Sequence, residues 1–196
     1  MVLALAVAGG LVLLGSIAGA RHPVIHPLEQ RAFRVVNGLP AWLYVPLWVP
    51  MQLGNLVVGT AAGLAVAWAA RDWDLAVAVA VAMVLKLVAE RLLRRRMHEY
   101  LEVRQRPGTS EPGAILRGGD VPASGPSFPS GHVILVAAIA GVVVHDLAAE
   151  WVWIPAFLTG LVMVGRVYVG AHNPLDVTAG LGAGLLVGSV VELFLR

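Results

Sequence analysis

Residues 174–195 read PLDVTAGLGAGLLVGSVVELFL, a run of 22 in which Asp176 and Glu192, near its two ends, are the only charges. A helix of that length rises about 33 Å, enough to cross a hydrocarbon core of about 30 Å. Asn173 supplies a cap and Pro174 suits the first helical position, so the helix is predicted to start just after His172. Small residues recur along it, as they do where helices approach closely in lipid.

The whole sequence agrees with that run. It is 58% apolar and 13% charged over 196 residues, with a mean hydropathy of +0.79 and no cysteine. A soluble domain carries about 25% charged residues, so this chain has too little polar side chain to cover itself. The absence of cysteine excludes a thiol nucleophile, a cysteine-ligated metal and a disulfide scaffold, and the apolar content excludes disorder. Thirteen arginines stand against one lysine, Lys86.

Five further apolar runs have spanning length: Val2 to Ala20; part of Trp42 to Ala70, with the Pro46 and Pro50 portion at the interface before a helix from about Leu53; Trp73 to Leu93; Gly131 to about Leu147; and Trp151 to about Tyr168. The first is read as a span rather than a cleaved signal. Ala18-Gly19-Ala20 resembles a cleavage site, but nothing basic precedes the run. The expectation is an all-α polytopic membrane protein, a six-transmembrane-helix bundle forming one domain over 1–196, with its active site at one membrane face. Between the first two spans, His26 to Leu39 mixes Leu28, Phe33, Val35 and Val36 with Glu29, Arg31 and Arg34, which suits a short interfacial helix or a polar loop.

The longest polar stretch, Arg94 to Pro129, contains five prolines and five glycines. Loops of that length in compact proteins carry function or are disordered. Helix parity puts this loop on the same face as the turn between the fifth and sixth runs, so Arg106, His132, Arg166, His172 and Asp176 can converge at one depth.

Ionisable residues at membrane depth are expensive and are functional candidates. Taken singly, arginines at helix ends are usually snorkelling anchors and a histidine at a helix start is usually a cap or a hydrogen bonder. Together they have a chemistry. Ser130 can cap the fourth helix, Gly131 leaves its amide open, and amides at a helix start with the dipole behind them suit a phosphate. His132 can then act as a general acid toward a leaving oxygen. Asp176, one turn after His172, can accept a hydrogen bond from one imidazole nitrogen and leave the other as a nucleophile. Arg106 and Arg166 present planar forks that match phosphate oxygens. No carboxylate cluster resembles a metal cage.

These residues resemble the type 2 phosphatidic acid phosphatase superfamily, whose motifs are K-x6-R-P, P-S-G-H and S-R-x5-H-x3-D. Pro129 to His132 keep the second motif intact, and Gly165, Arg166, His172 and Asp176 keep the third with glycine in place of serine. The first is half kept: Arg106-Pro107 match, but Glu99 stands at the lysine position. The resemblance covers about residues 70 to 196. It implies that His172 is the nucleophile forming a phosphohistidine, His132 protonates the leaving group, Asp176 orients His172, and Arg106, Arg166, Ser130 and Gly131 hold the phosphate, with no metal or cofactor. For Glu99, the expectation is that a neighbouring arginine, Arg96, Arg104 or Arg95, takes over the lysine's charge. The alternative is that Glu99 meets a polar headgroup.

The expected substrate keeps its tail in lipid while its phosphate reaches the interface: phosphatidic acid, phosphatidylglycerol phosphate, a polyprenyl diphosphate or a polyprenyl-linked phosphosugar. The partners are that lipid and the bilayer, with no nucleic acid. A phosphotransferase of the same fold and a non-catalytic lipid-phosphate binder or transporter are the rival readings. The expected location is a bacterial plasma membrane. The excess of arginine on the motif face points to the cytoplasm, whereas many bacterial relatives of the resembled family work on the outer face.

Overall fold

A computed structural model describes the chain apart from residues 23, 101–103 and 120 and the side chains of 98–100. Among the described residues it is helical, with no strand and one isolated bridge, Gln105 to Pro126. The helices are α1 (Val2–Gly19), α2 (Pro27–Asn37), α3 (Tyr44–Met51), α4 (Leu56–Ala70), α5 (Trp73–Tyr100), α6 (Pro107–Ser110), α7 (Gly131–Val143), α8 (Trp153–Tyr168) and α9 (Pro174–Leu195).

Length and composition qualify Val2–Gly19, Ala149–Tyr168 and Pro174–Leu195 as candidate spans. Ala41–Gly54 and Leu56–Ala70, bent by 76° at Asn55, add a fourth if the pair counts as one. The bend has a local cause. Asn55 is extended and its Oδ1 accepts from the backbone N–H groups of Val57 and Val58 at 3.0 and 3.4 Å, so α4 starts at Leu56 rather than near Leu53.

The third run is the one whose length differs most from expectation. α5 continues from Leu93 to Tyr100, because Arg94, Arg95 and Arg96 end the apolar run without ending a helix. Ion pairs at i,i+4 support it: Glu90 lies 2.6 Å from Lys86 and 2.9 Å from Arg94. α7 is short but occupies the centre. Leu135, Ala138, Ile139, Val142 and Val143 are buried against Leu75, Val79 and Ala82 of α5 and Val187 and Val191 of α9.

α9 meets α7 along glycines spaced by four. A Cβ at Gly180 would lie 2.8 Å from Ser130 O, one at Gly184 2.6 Å from Ala137 Cβ, and one at Gly188 2.9 Å from Ala138 O. Its opposite face receives α1 at Gly182, where an added Cβ would lie 2.5 Å from Leu13 N. Only hydrogen at these positions allows the approach. α9 is thereby held on two sides, and its first turn, with Asp176, is fixed against the first turn of α7.

The segment His26 to Leu39 is a helix. His26 caps it, with Leu28 N–H donating to its Nδ1 at 3.3 Å, and Glu29, Phe33 and Asn37, four apart, are buried. Leu28 and Val35 face outward. That is an amphipathic helix whose inner stripe docks on the motif end of the bundle, as expected of a short helix lying at an interface.

Candidate active site

The polar loop after α5 is tied to the bundle by backbone bonds. Arg106 N–H donates to Gly125 O and Ser127 N–H to Arg104 O, both at 3.0 Å, and Ser130 N–H donates to Asp176 O at 2.9 Å. The last of these joins the first turns of α7 and α9, so the second and third motif groups of the sequence meet directly.

Ser130, His172 and Asp176 are buried, and Arg166 is 8% exposed. Arg106 donates from Nη1 to Ala171 O at 2.9 Å, next to His172. Burial, together with the neighbouring guanidinium of Arg94, lowers the pKa of Arg106, and Asp176 opposes the shift. His172 is held below the usual histidine range by burial, against the opposing pull of Asp176, with Arg166 and Arg106 adding to the depression. Its imidazole is therefore neutral at pH 7.

Two local details differ from expectation. Asp176 Oδ2 stands 3.8 Å from His172 Nδ1, too far for a hydrogen bond. The carboxylate is occupied elsewhere: Oδ2 accepts from Asn173 N–H at 2.8 Å and Oδ1 from Arg104 Nε at 2.9 Å. The orientation is still such that Nδ1 faces Asp176. Ser130 caps α7 with its backbone carbonyl rather than its hydroxyl, and its buried Oγ has no hydrogen-bond partner among the described residues. A buried donor left unmade is costly, and a phosphate oxygen would satisfy it.

His132 and Arg166 share a pocket of about 50 Å³ with Tyr44, Trp48, Gln52 and Asn55 of the bent α3–α4 segment. The approach is tight, since a Cβ at Gly54 would lie 2.6 Å from His132 Cβ. Gly165, which stands where the resembled family has serine, faces Met51: a Cβ there would lie 2.5 Å from Met51 Cγ. The missing hydroxyl is replaced by packing of α3 on α8.

Glu99 lies outside the described side chains. Of the arginines expected to replace the lysine, Arg95 and Arg96 are exposed at the end of α5. Arg104 is buried and committed to two carboxylates, donating to Asp176 and, through Nη2, to Glu29 Oε1. Sequence reasoning missed the ladder on α5. Glu90 sits behind Gly131, whose added Cβ would lie 2.5 and 2.6 Å from its two oxygens. It holds Lys86 on one side and Arg94 on the other, and Arg94 Nη2 also lies 3.5 Å from Pro129 O. Lys86, Glu90 and Arg94 are spaced by four, a visible signal, but exposed ion pairs on helices have the same spacing.

Among the described residues no trio of His, Asp and Glu converges as a metal cage. Fold and site together define a class of protein, the apolar helical bundle with histidines, arginines and an aspartate gathered at one end. A family model described as the PAP2 superfamily matches residues 71–195, and the chain belongs to that superfamily.

Decaprenylphosphoryl-5-phosphoribose phosphatase of Mycobacterium tuberculosis is 30% identical over 141 residues, 71% of each chain. Undecaprenyl-diphosphatase of Sulfolobus acidocaldarius is 46% identical over 55 residues, which are 28% of this chain and 26% of that protein. Two crystal structures share the fold. LpxE of Aquifex aeolicus aligns with TM-score 0.74 and 23% identity over 86% of this chain and 97% of its own. The first transmembrane PAP2-type phosphatidylglycerolphosphate phosphatase from Bacillus subtilis aligns with TM-score 0.64 and 24% identity, over 96% of this chain and 94% of its own.

Proposed function

We propose that the chain hydrolyses a phosphate ester or diphosphate on a polyprenyl-type lipid through a phosphohistidine, without a metal, in a bundle that crosses a bacterial plasma membrane six times. The observation that carries this reading is the convergence of buried His172, Asp176, Arg166 and Ser130 with Arg106 and His132 at one end of an apolar bundle. The other phosphatidyl substrates remain within the same chemistry. The polyprenyl choice rests on the named substrates of the two relatives matched at 30 and 46% identity.

His172 Nδ1 faces Asp176, so Nε2 is the attacking atom. Its lone pair forms the N–P bond while the bond from phosphorus to the lipid oxygen breaks, and His132 gives its proton to that oxygen. His132 stands near Arg166, Lys86 and Arg106, whose positive charges an incoming phosphate dianion offsets. Water then attacks phosphorus, His132 takes a water proton, and the N–P bond breaks to return His172 and free phosphate. Arg106, Arg166, the Ser130 hydroxyl and the Gly131 amide hold the oxygens on which charge gathers. An apolar groove of about 350 Å³ between α4, α7 and α8, lined by Leu53, Gly63, Val136, Ile139 and Leu158, supports a lipid tail alongside the site.

The test is phosphate release from polyprenyl and glycerolipid phosphates and diphosphates in EDTA, for the wild type, His172→Ala and His132→Ala. Release by the wild type and loss in His172→Ala are expected. No release from any lipid defeats the enzyme reading and favours a binder. Phosphate appearing on an added alcohol instead of in water favours a phosphotransferase, and full activity in His172→Ala defeats the phosphohistidine.

A further inference from the structure

Glu29 is the one acidic residue of the interfacial helix α2 and it is turned inward, 8% exposed. Its Oε1 accepts two bonds, one from Arg104 Nη2 and one from the backbone N–H of Leu175 at 2.8 Å, in the first turn of α9. Arg104 donates its Nε to Asp176 Oδ1 at 2.9 Å, and Asp176 Oδ2 faces His172 Nδ1 at 3.8 Å. Side-chain exposures along this string are 6% for Glu29, 2% for Arg104, 0% for Asp176 and 3% for His172. Charges of alternating sign, all dry, run from the membrane interface to the imidazole.

In such a place each charge is felt strongly by the next. Asp176 alone would favour a protonated, non-nucleophilic His172. Arg104 offsets Asp176, and Glu29 takes up part of the charge of Arg104. We propose that Glu29 and Arg104 are positioning residues that set how much of the Asp176 charge reaches His172, and that α2 holds the site in its working state by bringing Glu29 to Arg104. This rests on the reading of His172 as the nucleophile.

The remaining charged groups around the string are Arg166 on α8, His132 on α7, Arg106 before α6, and Glu111 and Arg34 near the Glu29 end. Burial raises the pKa of Glu111. None of these groups changes in the variants below, and neither does titration of the substrate phosphate, so they cancel in the comparison.

The experiment is the pH profile of kcat/KM for phosphate release by the full chain in detergent, for the wild type, Glu29→Gln, Arg104→Gln and the double variant. Glutamine at 29 keeps the shape and an acceptor for Leu175 N–H but removes the charge. The acid limb, where His172 gains a proton, is expected to move down by about one pH unit in Glu29→Gln, because Arg104 then offsets Asp176 fully. It is expected to move up in Arg104→Gln and to return toward the wild-type position in the double variant. An acid limb unmoved in Glu29→Gln, or single variants shifting the same way, overturns the proposal. If Arg104→Gln does not fold, Glu29→Gln decides alone. A wild type that releases no phosphate overturns the function and this proposal with it, whereas an active, His172-dependent wild type with unmoved limbs overturns only this one.

Discussion

At the scale of single residues, Arg94 is the cation expected to stand in for the lysine that Glu99 replaces. A site that lacks the expected lysine must find its cation elsewhere, and Arg94 is half-buried, fixed by Glu90 through Nε at 3.1 Å, and close enough to Arg106 for each to feel the other's charge. Glu90 fixes Arg94 in place, and a phosphate beside Arg106 would add a second anion within reach of both guanidiniums. Arg94→Ala is therefore expected to lower kcat/KM for phosphate release by about 10- to 100-fold, the worth of one charge-assisted hydrogen bond. Arg94→Lys should retain most of the activity, and a loss of less than twofold in Arg94→Ala would show that the cation lies elsewhere. Sequence reading put this charge on Arg96, Arg104 or Arg95, because it worked along the chain outward from Glu99. The helix brings Arg94 to Pro129 only because α5 packs antiparallel to α7, a relation no local spacing reveals. Glu29 was hidden for the same reason: an acidic residue in a helix's first turn is ordinarily explained by the dipole.

At the scale of elements, the small residues of α9 were legible and their directions were not. Composition announces close packing but does not say that Gly180, Gly184 and Gly188 face α7 while Gly182 faces α1. The distinction can be measured. A Cβ at Gly184 would lie 2.6 Å from both Ala137 Cβ and Ile134 O, whereas one at Gly160 in α8 meets nothing within 4 Å. Gly184→Ala is expected to lower the unfolding temperature in detergent by several degrees, reflecting about 1–3 kcal/mol of overpacking. Gly160→Ala should leave it unchanged or raise it slightly, since alanine is the better helix former. Equal effects at the two positions would contradict the α7–α9 contact. The helix ends were legible where a cap announced them, as at Asn173-Pro174. They were not at Leu93, because charge was taken to end the helix when it marks only where the helix leaves the apolar layer.

At the scale of the molecule, the motifs disclosed the superfamily and the apolar runs disclosed a membrane protein, whereas the side of the membrane is argued from where charge accumulates. Arg21, Arg31, Arg34, Arg91, Arg94, Arg95, Arg96 and Arg117 lie at the motif end, in addition to Arg104, Arg106 and Arg166 within the site. The opposite end has Arg71 and Arg196, and Arg196 is held by Asp146 at 2.5 Å and Asp72 at 3.1 Å. Excess lysine and arginine in short loops keeps a face in the cytoplasm, and acidic residues contribute little to that bias. The site is thus expected on the cytoplasmic side. The chain has no cysteine, so single substitutions report cleanly. Gly119, where a Cβ meets nothing within 4 Å, lies at the motif end, and exposed Glu150 lies at the other. In intact cells, Gly119→Cys should react only with a membrane-permeant maleimide, and Glu150→Cys should react with an impermeant one as well. The reverse pattern would place His172 on the outer face and require the substrate's phosphate to be presented there.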